Sequence, residues 1–399
     1  MKQFLIILFA VIAFSFTPTP KEKPISQVID EALNFSTQQY LRMAEKYAGQ
    51  DSILPRTYVN GAMVTSDSHW WTSGFFPGSL WYLYENNKDE KLLAFARQYT
   101  VRVEREKYTT NNHDVGFMIN CSFGNGLRLT GDNAYKSVML TAAKSLSTRY
   151  TPKIGLIRSW DSDPKKWQYA VIIDNMMNLE LMLWAAKKSD NQFYKELSVS
   201  HADKTMQHHY RPDYSCYHVV SYDTISGLPH KKQTHQGTAD ESAWARGQAW
   251  GLYGFTFMYR ETKDKRYLAF AKNIAKYLIE HPRMPEDYIP YWDFDAPGIP
   301  NEPRDVSAAA LMASALIELS QFVDKDLSVK YIAVSEKQLR TMASPEYTAK
   351  LGENGDFILK HGTGSKPHNS EVDVPLTYAD YYYLEALLRY KKIVLEGKE

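Results

Sequence analysis

Apolar positions along this chain recur in pairs of unlike segments. Residues 74–84, 116–129, 175–186, 245–259 and 307–319 are rich in Gly, Ala and aromatic side chains and lack a broad polar face. A helix of that composition is buried on most sides. Each is followed by a short turn and then by a segment with Lys and Glu at exposed helical spacing and one apolar stripe. The turns read Asn87-Lys88-Asp89, Thr130-Gly131-Asp132, Ser189-Asp190-Asn191, Thr262-Lys263-Asp264 and Asp324-Lys325-Asp326. Each supplies an Asp or Asn where a helix N-cap is wanted, because its side-chain oxygen accepts the unpaired N–H groups of the first turn.

Adding a first helix over residues 25–48 and a last over 377–394 brings the total to about twelve helices. Inner and outer helices that alternate and close into a ring make an all-α (α/α)6 barrel. An open solenoid of helix hairpins is the rival, but it repeats at a tighter, fixed period. Here long stretches intervene: residues 51–72, 153–170, 213–242, 282–304 and 344–376, all rich in Gly, Pro, His, Asp and aromatics. Loops of that length in a compact domain are usually functional. They predict the wall of a cleft at one end of the barrel, with a small β-hairpin or lid in the Gly-rich run of 344–376.

Composition narrows the chemistry. Lys plus Arg total 47 against 46 for Asp plus Glu, so the basic excess of a duplex nucleic-acid binder is missing. An anionic ligand would be met by a few locally placed cations. Residues 1–20 begin Met-Lys-Gln, run apolar from Phe4 to Phe16 and end in Thr17-Pro18-Thr19-Pro20. This is the pattern of a secretory signal, too short to span a bilayer. It predicts an exported, periplasmic protein with one barrel domain over residues 25–396 and no membrane attachment once the signal is removed. The two cysteines, Cys121 and Cys216, can pair in an oxidising compartment, though a core of this size does not need that staple. Neither their spacing nor any His-Glu-x-x-His, P-loop or dinucleotide glycine pattern points to a metal or nucleotide.

Two carboxyls interrupt apolar surroundings. Asp114 lies in His113-Asp114-Val115-Gly116-Phe117, and Asp174 lies in Ile173-Asp174-Asn175-Met176-Met177. Both fall at the starts of inner helices, so both face the same barrel mouth. Each can be a plain N-cap. The apolar run flanking Asp174 on both sides suggests instead a carboxyl that is costly to ionise and able to donate a proton near neutral pH. Two carboxyls flanking a sugar are the usual equipment of glycoside hydrolysis.

A second cluster runs from Thr234-His235-Gln236-Gly237 to Trp244-Ala245-Arg246-Gly247-Gln248-Ala249-Trp250. Arg246 and Trp250 share a helix face and suit a ring bearing a carboxylate, with the guanidinium taking the carboxylate bidentately. Trp70, Trp71, Trp160, Trp292 and His218 are further loop candidates, at least one of the tryptophans being a packing residue. His208 and His209 read as a solvated helix end.

These segments resemble the unsaturated glucuronyl hydrolases of glycoside hydrolase family 88, in order and with similar spacing from about Trp70 to Asp380-Tyr381-Tyr382-Tyr383. The resemblance implies the (α/α)6 barrel, no cofactor, and unsaturated acidic di- or oligosaccharides as partners. It also implies removal of a 4,5-unsaturated glucuronic acid from lyase-generated glycosaminoglycan fragments by hydration of the ring double bond. Asp174 matches the general acid/base and Asp114 the second essential carboxylate. His113, His218, Gln236, Arg246, Trp250 and Trp160 fall on substrate-binding positions, with His235 beside them. Ser365 and Lys366 match part of a sulfate-contacting loop. An unsaturated galacturonyl-rhamnose hydrolase of pectin breakdown, a barrel polysaccharide lyase and a non-catalytic carbohydrate-binding protein remain as alternatives.

Overall fold

The structure, a computed structural model, describes residues 22–161, 163 and 165–398; residues 1–20, whose pattern predicts a secretory signal, lie outside them. Among the described residues the twelve α-helices are α1 Ile25–Tyr47, α2 Phe75–Asn87, α3 Glu90–Val101, α4 Asn125–Thr130, α5 Asn133–Ser147, α6 Asn175–Ser189, α7 Gln192–His208, α8 Ala245–Thr262, α9 Lys265–Glu280, α10 Val306–Leu319, α11 Lys325–Met342 and α12 Thr377–Arg389. The stretch before α4, Gly116–Gly124, is wound as a π-helix and completes that inner helix.

The five turns behave as their chemistry requires. Asp89, Asp132, Asn191, Asp264 and Asp324 each accept first-turn backbone N–H groups of the outer helix that follows. Outer helices bury one stripe, as α9 does with Tyr267, Ala271, Ile274, Ala275 and Leu278. Inner α10 is buried along its whole length. The inner helices α2, the π-segment with α4, α6, α8, α10 and α12 each pack on the next, and α12 packs back on α2. The ring therefore closes into an (α/α)6 barrel, and the open solenoid is excluded. Close approach inside the ring needs missing side chains. A Cβ on Gly116 would lie 2.6 Å from the Cα of Asn178, and one on Gly74 would lie 2.3 Å from the carbonyl oxygen of Met118.

Because every inner helix returns through an outer one, all six inner N-termini point to the same end, where the long connections gather. Several of these are not plain loops. Strands β1 Leu54–Val59 and β2 Ala62–Ser66 form a hairpin around Asn60-Gly61, both at positive φ, the Asn-Gly turn that matches strand twist. The short pair β3 Tyr150–Thr151 and β4 Leu156–Ile157 is followed by a three-stranded antiparallel sheet of β5 Ala170–Ile172, β6 Val219–Tyr222 and β7 Pro229–Gln233. The hairpin expected in 344–376 is β8 Gly362–Ser365 paired with β9 Ser370–Val374.

One expectation is corrected and two open readings are resolved. His209 is fully buried against Tyr222, not solvated, because β6 covers that end of α7; His208 also sits against Tyr222. Cys121 and Cys216 are both free and buried. Trp292 is a packing residue whose indole N–H donates to Glu302.

Candidate active site

Asp174 stands at the N-terminus of α6 in helical conformation, and its side chain caps nothing. It follows β5, and Ile173 N–H donates to the carbonyl of His218, so the sheet sets His218 opposite the carboxyl. Asp114 stands two residues before the π-segment. Its backbone N–H donates to Asn112 Oδ1 and its carbonyl accepts from Met118, which leaves the carboxyl outside the local bonding. The capping role open to both Asp residues is therefore taken by neither.

Each carboxyl faces a histidine whose protonation the network assigns. Asn178 Oδ1 accepts from Phe117 N–H, so its amide Nδ2 donates to His113 Nδ1 at 3.0 Å. His113 must then carry its hydrogen on Nε2, which lies 3.4 Å from Asp114 Oδ1. In the same way, His218 Nδ1 accepts from the backbone N–H groups of His235 and Gln236, both at 3.1 Å, and its Nε2 lies 3.7 Å from Asp174 Oδ2. Burial, with Arg149 next, lowers His113 to a pKa of about 3. Burial and the neighbouring His235 hold His218 well below the usual imidazole range. Both rings are thus neutral Nε2–H donors aimed at carboxyls and do not take up a proton themselves.

Burial raises both carboxyls, Asp114 to about 8 with help from the charge of Asp174, and Asp174 to about 7 against the opposing charge of Arg246. Asp174 is the more enclosed of the two, its side chain 11% exposed against 21% for Asp114. The pair holds a proton near neutral pH, as a proton donor to carbon requires. This carries a stability cost with a definite sign. A carboxyl whose pKa is raised on folding loses stability as pH climbs from its unfolded value through the folded one. Asp174→Asn should therefore match wild type in thermal unfolding at pH 4 and gain on the order of 1–4 kcal/mol by pH 8. An equal difference at both pH values would contradict the shift.

Arg246 is not the free fork expected of it. It is buried, with Nη1 donating to Asp305 Oδ2 at 2.7 Å and to the Thr363 carbonyl at 2.6 Å, and Nη2 to the Gly364 carbonyl at 2.6 Å. Its charge still acts on Asp174. Trp250 is buried beneath the same carboxyl, its N–H directed at Asp174 without a formed bond. Gln236 Nε2 donates to Gly364, tying the 234–242 loop to hairpin β8–β9. His235 lies between Trp160 at 5.6 Å and His368 at 4.5 Å. Ser365 bonds His368, and Lys366 is exposed at the hairpin tip. Trp71 packs on Phe117 and Tyr378, and Trp70 lies under Arg56 at the rim.

A cavity of about 840 Å³ opens at the opposite end of the barrel, among Arg128, Glu180, Arg260, Glu385 and Arg389. There the charges are already paired: Arg260 with Glu180 and Glu318, Arg389 with Glu318 and Glu385. At the mouth, by contrast, Asp174 Oδ2, His218 Nε2, Trp250 Nε1, Trp160 Nε1 and Tyr378 OH are buried with no partner among the described residues. Unused hydrogen-bonding capacity marks a place for a polar ligand, and six inner-helix N-termini add a positive field suited to an acidic one. Among the described residues no group of three or more His, Cys, Asp or Glu side chains is gathered for a metal ion.

A barrel mouth holding two protonatable carboxyls and polar, aromatic walls defines a carbohydrate-active hydrolase of the (α/α)6 class. The model of Glycosyl Hydrolase Family 88 matches residues 50–392, and the chain belongs to that family. It is 46% identical over 327 residues to an unsaturated glucuronyl hydrolase of Formosa agariphila, covering 82% of this chain and 81% of the relative. It also superposes on the crystal structure of an unsaturated glucuronyl hydrolase specific for heparin, with a TM-score of 0.89 and 46% identity, covering 92% and 97% of the two chains. A point variant of the Streptococcus agalactiae enzyme in complex with dGlcA-GalNAc6S matches with a TM-score of 0.79 at 29% identity, over 93% and 94%.

Proposed function

We propose that this enzyme removes a 4,5-unsaturated glucuronic acid from the non-reducing end of lyase-generated glycosaminoglycan oligosaccharides. The observation that carries the reading is the pair of carboxyls at the barrel mouth, each faced by a buried imidazole, His113 Nε2 3.4 Å from Asp114 and His218 Nε2 3.7 Å from Asp174. Asp174 gives its proton to C4 of the ring double bond, and water adds at C5 as its proton passes back to the carboxylate. The resulting hemiketal opens to a C5 ketone, which leaves C1 a hemiacetal that expels the aglycone alcohol. One water is consumed and no cofactor is needed. Asp114 and His113 hold the sugar hydroxyls. Trp160 flanks the sugar ring, Trp250 supports the Asp174 carboxyl from beneath, and His235, Gln236, Ser365 and Lys366 line the way out for the leaving sugar. The positive field of Arg246 and the inner-helix N-termini favours the uronate carboxylate. The heparin-specific relative supports testing heparin disaccharides first.

The test is ultraviolet absorbance of the conjugated double bond, with unsaturated disaccharides from heparin, chondroitin, hyaluronan and pectin. Decay on glycosaminoglycan products supports the proposal, and decay on the pectin product alone would replace it with the galacturonyl reading. Binding without decay on any of them would leave a carbohydrate-binding protein. The rate should be highest on the acidic side of neutrality. It should then fall about tenfold per pH unit once Asp174 has lost its proton, above about 7. A rate that keeps rising through pH 8 would refute Asp174 as the acid.

A further inference from the structure

Asp305 is absent from the carboxyl pair yet bonded to both Arg246 beside it and Thr363 of hairpin β8–β9. It caps α10 from a fully buried position, Oδ1 accepting from Ser307 N–H and Oγ–H. Its Oδ2 accepts from Arg246. The same Oδ1 faces Thr363 N–H at 3.4 Å, and Thr363 Oγ1 donates back to the Arg304 carbonyl. Arg246 in turn holds the Thr363 and Gly364 carbonyls, and Gln236 holds Gly364 from the other side. Hairpin β8–β9 needs such anchoring. Beyond its root, His361, Asn369, Glu371 and Asp373 all have positive φ, a costly conformation that persists where surrounding contacts over-determine it. Arg56–Glu371 adds a charged tie between the hairpin and the rest of the barrel.

We propose that Asp305 is a positioning residue for the hydration step: through Arg246 and Thr363 it pins hairpin β8–β9 over the carboxyl pair and offsets the guanidinium charge beside Asp174. This rests on the proposed function for its kinetic half only. The groups around Asp174 are Asp114 with His113 from the lead-in to the π-segment, His218 and Cys216 from the approach to β6, Arg246 and Trp250 from α8, and Tyr378 from α12 against Arg246. Among these Arg246 is the permanent cation. Removing the anion that offsets it leaves more positive charge at Asp174, favours the carboxylate and takes the acid form away at lower pH.

The experiment compares full-length wild type with Asp305→Asn in pH–rate profiles and in hydrogen exchange of the hairpin amides. In the variant the alkaline limb is expected about half a pH unit lower or more, hairpin exchange about tenfold faster, and exchange in α12 near Glu385 unchanged. An unmoved limb with an unmoved hairpin overturns the proposal. Should Asp305→Asn not fold, the double variant Arg246→Met/Asp305→Asn decides, because it removes both members of a buried pair and leaves no lone charge. It is expected to keep the fast hairpin exchange, with a limb above that of wild type. Wild-type protection of the hairpin in it would refute the anchoring. If wild type itself consumes no unsaturated disaccharide, the proposed function fails alone, and the exchange data still decide whether Asp305 anchors the hairpin.

Discussion

Replacing Asp174 with Asn will lower kcat on an unsaturated disaccharide by about a thousandfold or more, with KM changed by only a few fold. The size follows from the role. General acid catalysis by a placed side chain is worth roughly 10²–10⁴-fold, and in the proposed mechanism one group both protonates C4 and recovers a proton from the attacking water. The variant is nearly isosteric, and Asp174 makes no side-chain cap, so the fold is not the cause of the loss. Substrate binding should survive, because Trp250, His218 and Asp114 stay in place. A loss confined to KM would mean that Asp174 binds and does not transfer the proton. Near-wild-type kcat would end the assignment and redirect attention to Asp114, the other carboxyl with a raised pKa.

Glu318→Ala should produce the largest loss of stability while leaving the chemistry intact. Glu318 joins Arg260 and Arg389 at the far end of the barrel, accepting from each at 2.8 and 2.7 Å. Arg260 also reaches Glu180, and Arg389 reaches Glu385 and Tyr253. This belt ties α6, α8, α10 and α12 together where the cavity would otherwise open the ring. Removing the shared anion leaves Arg260 to Glu180 and Glu261 and Arg389 to Glu385, and the lost charge-assisted hydrogen bonds cost about 2 kcal/mol, or roughly a 2–3 °C fall in Tm for a chain of this size. The folded fraction should keep wild-type kcat and pH dependence, since the belt lies at the other end of the inner helices from Asp174. A large drop in kcat at full folding would show that the two ends are coupled. An unchanged Tm would show that the belt is solvated and contributes little.

The two outcomes separate what neighbours along the chain decide from what the closed ring decides. The helix pairs were legible because period and capping depend on residues a few positions apart: Asp89, Asp132, Asn191, Asp264 and Asp324 cap helices wherever the rest of the chain lies. Asp114 and Asp174 stood out for the same reason, as charges set in apolar runs at inner-helix starts. The β1–β2 hairpin rests on the local Asn60-Gly61 turn, a signal of two adjacent residues. The hairpin in 344–376 was anticipated from its glycines. Nothing local announced that His209 would be buried, because β6, from a later loop, covers it. The resemblance put Arg246 and Gln236 near a sugar, but where their hydrogen bonds go was settled elsewhere. Arg246 is committed to Asp305 and Thr363, 59 and 117 residues away. His113 owes its tautomer to Asn178, 65 residues on. Burial, charge offset and proton position are properties of the space several segments enclose together. They came into being only when six inner helices closed on one another and brought their N-terminal loops to a single mouth.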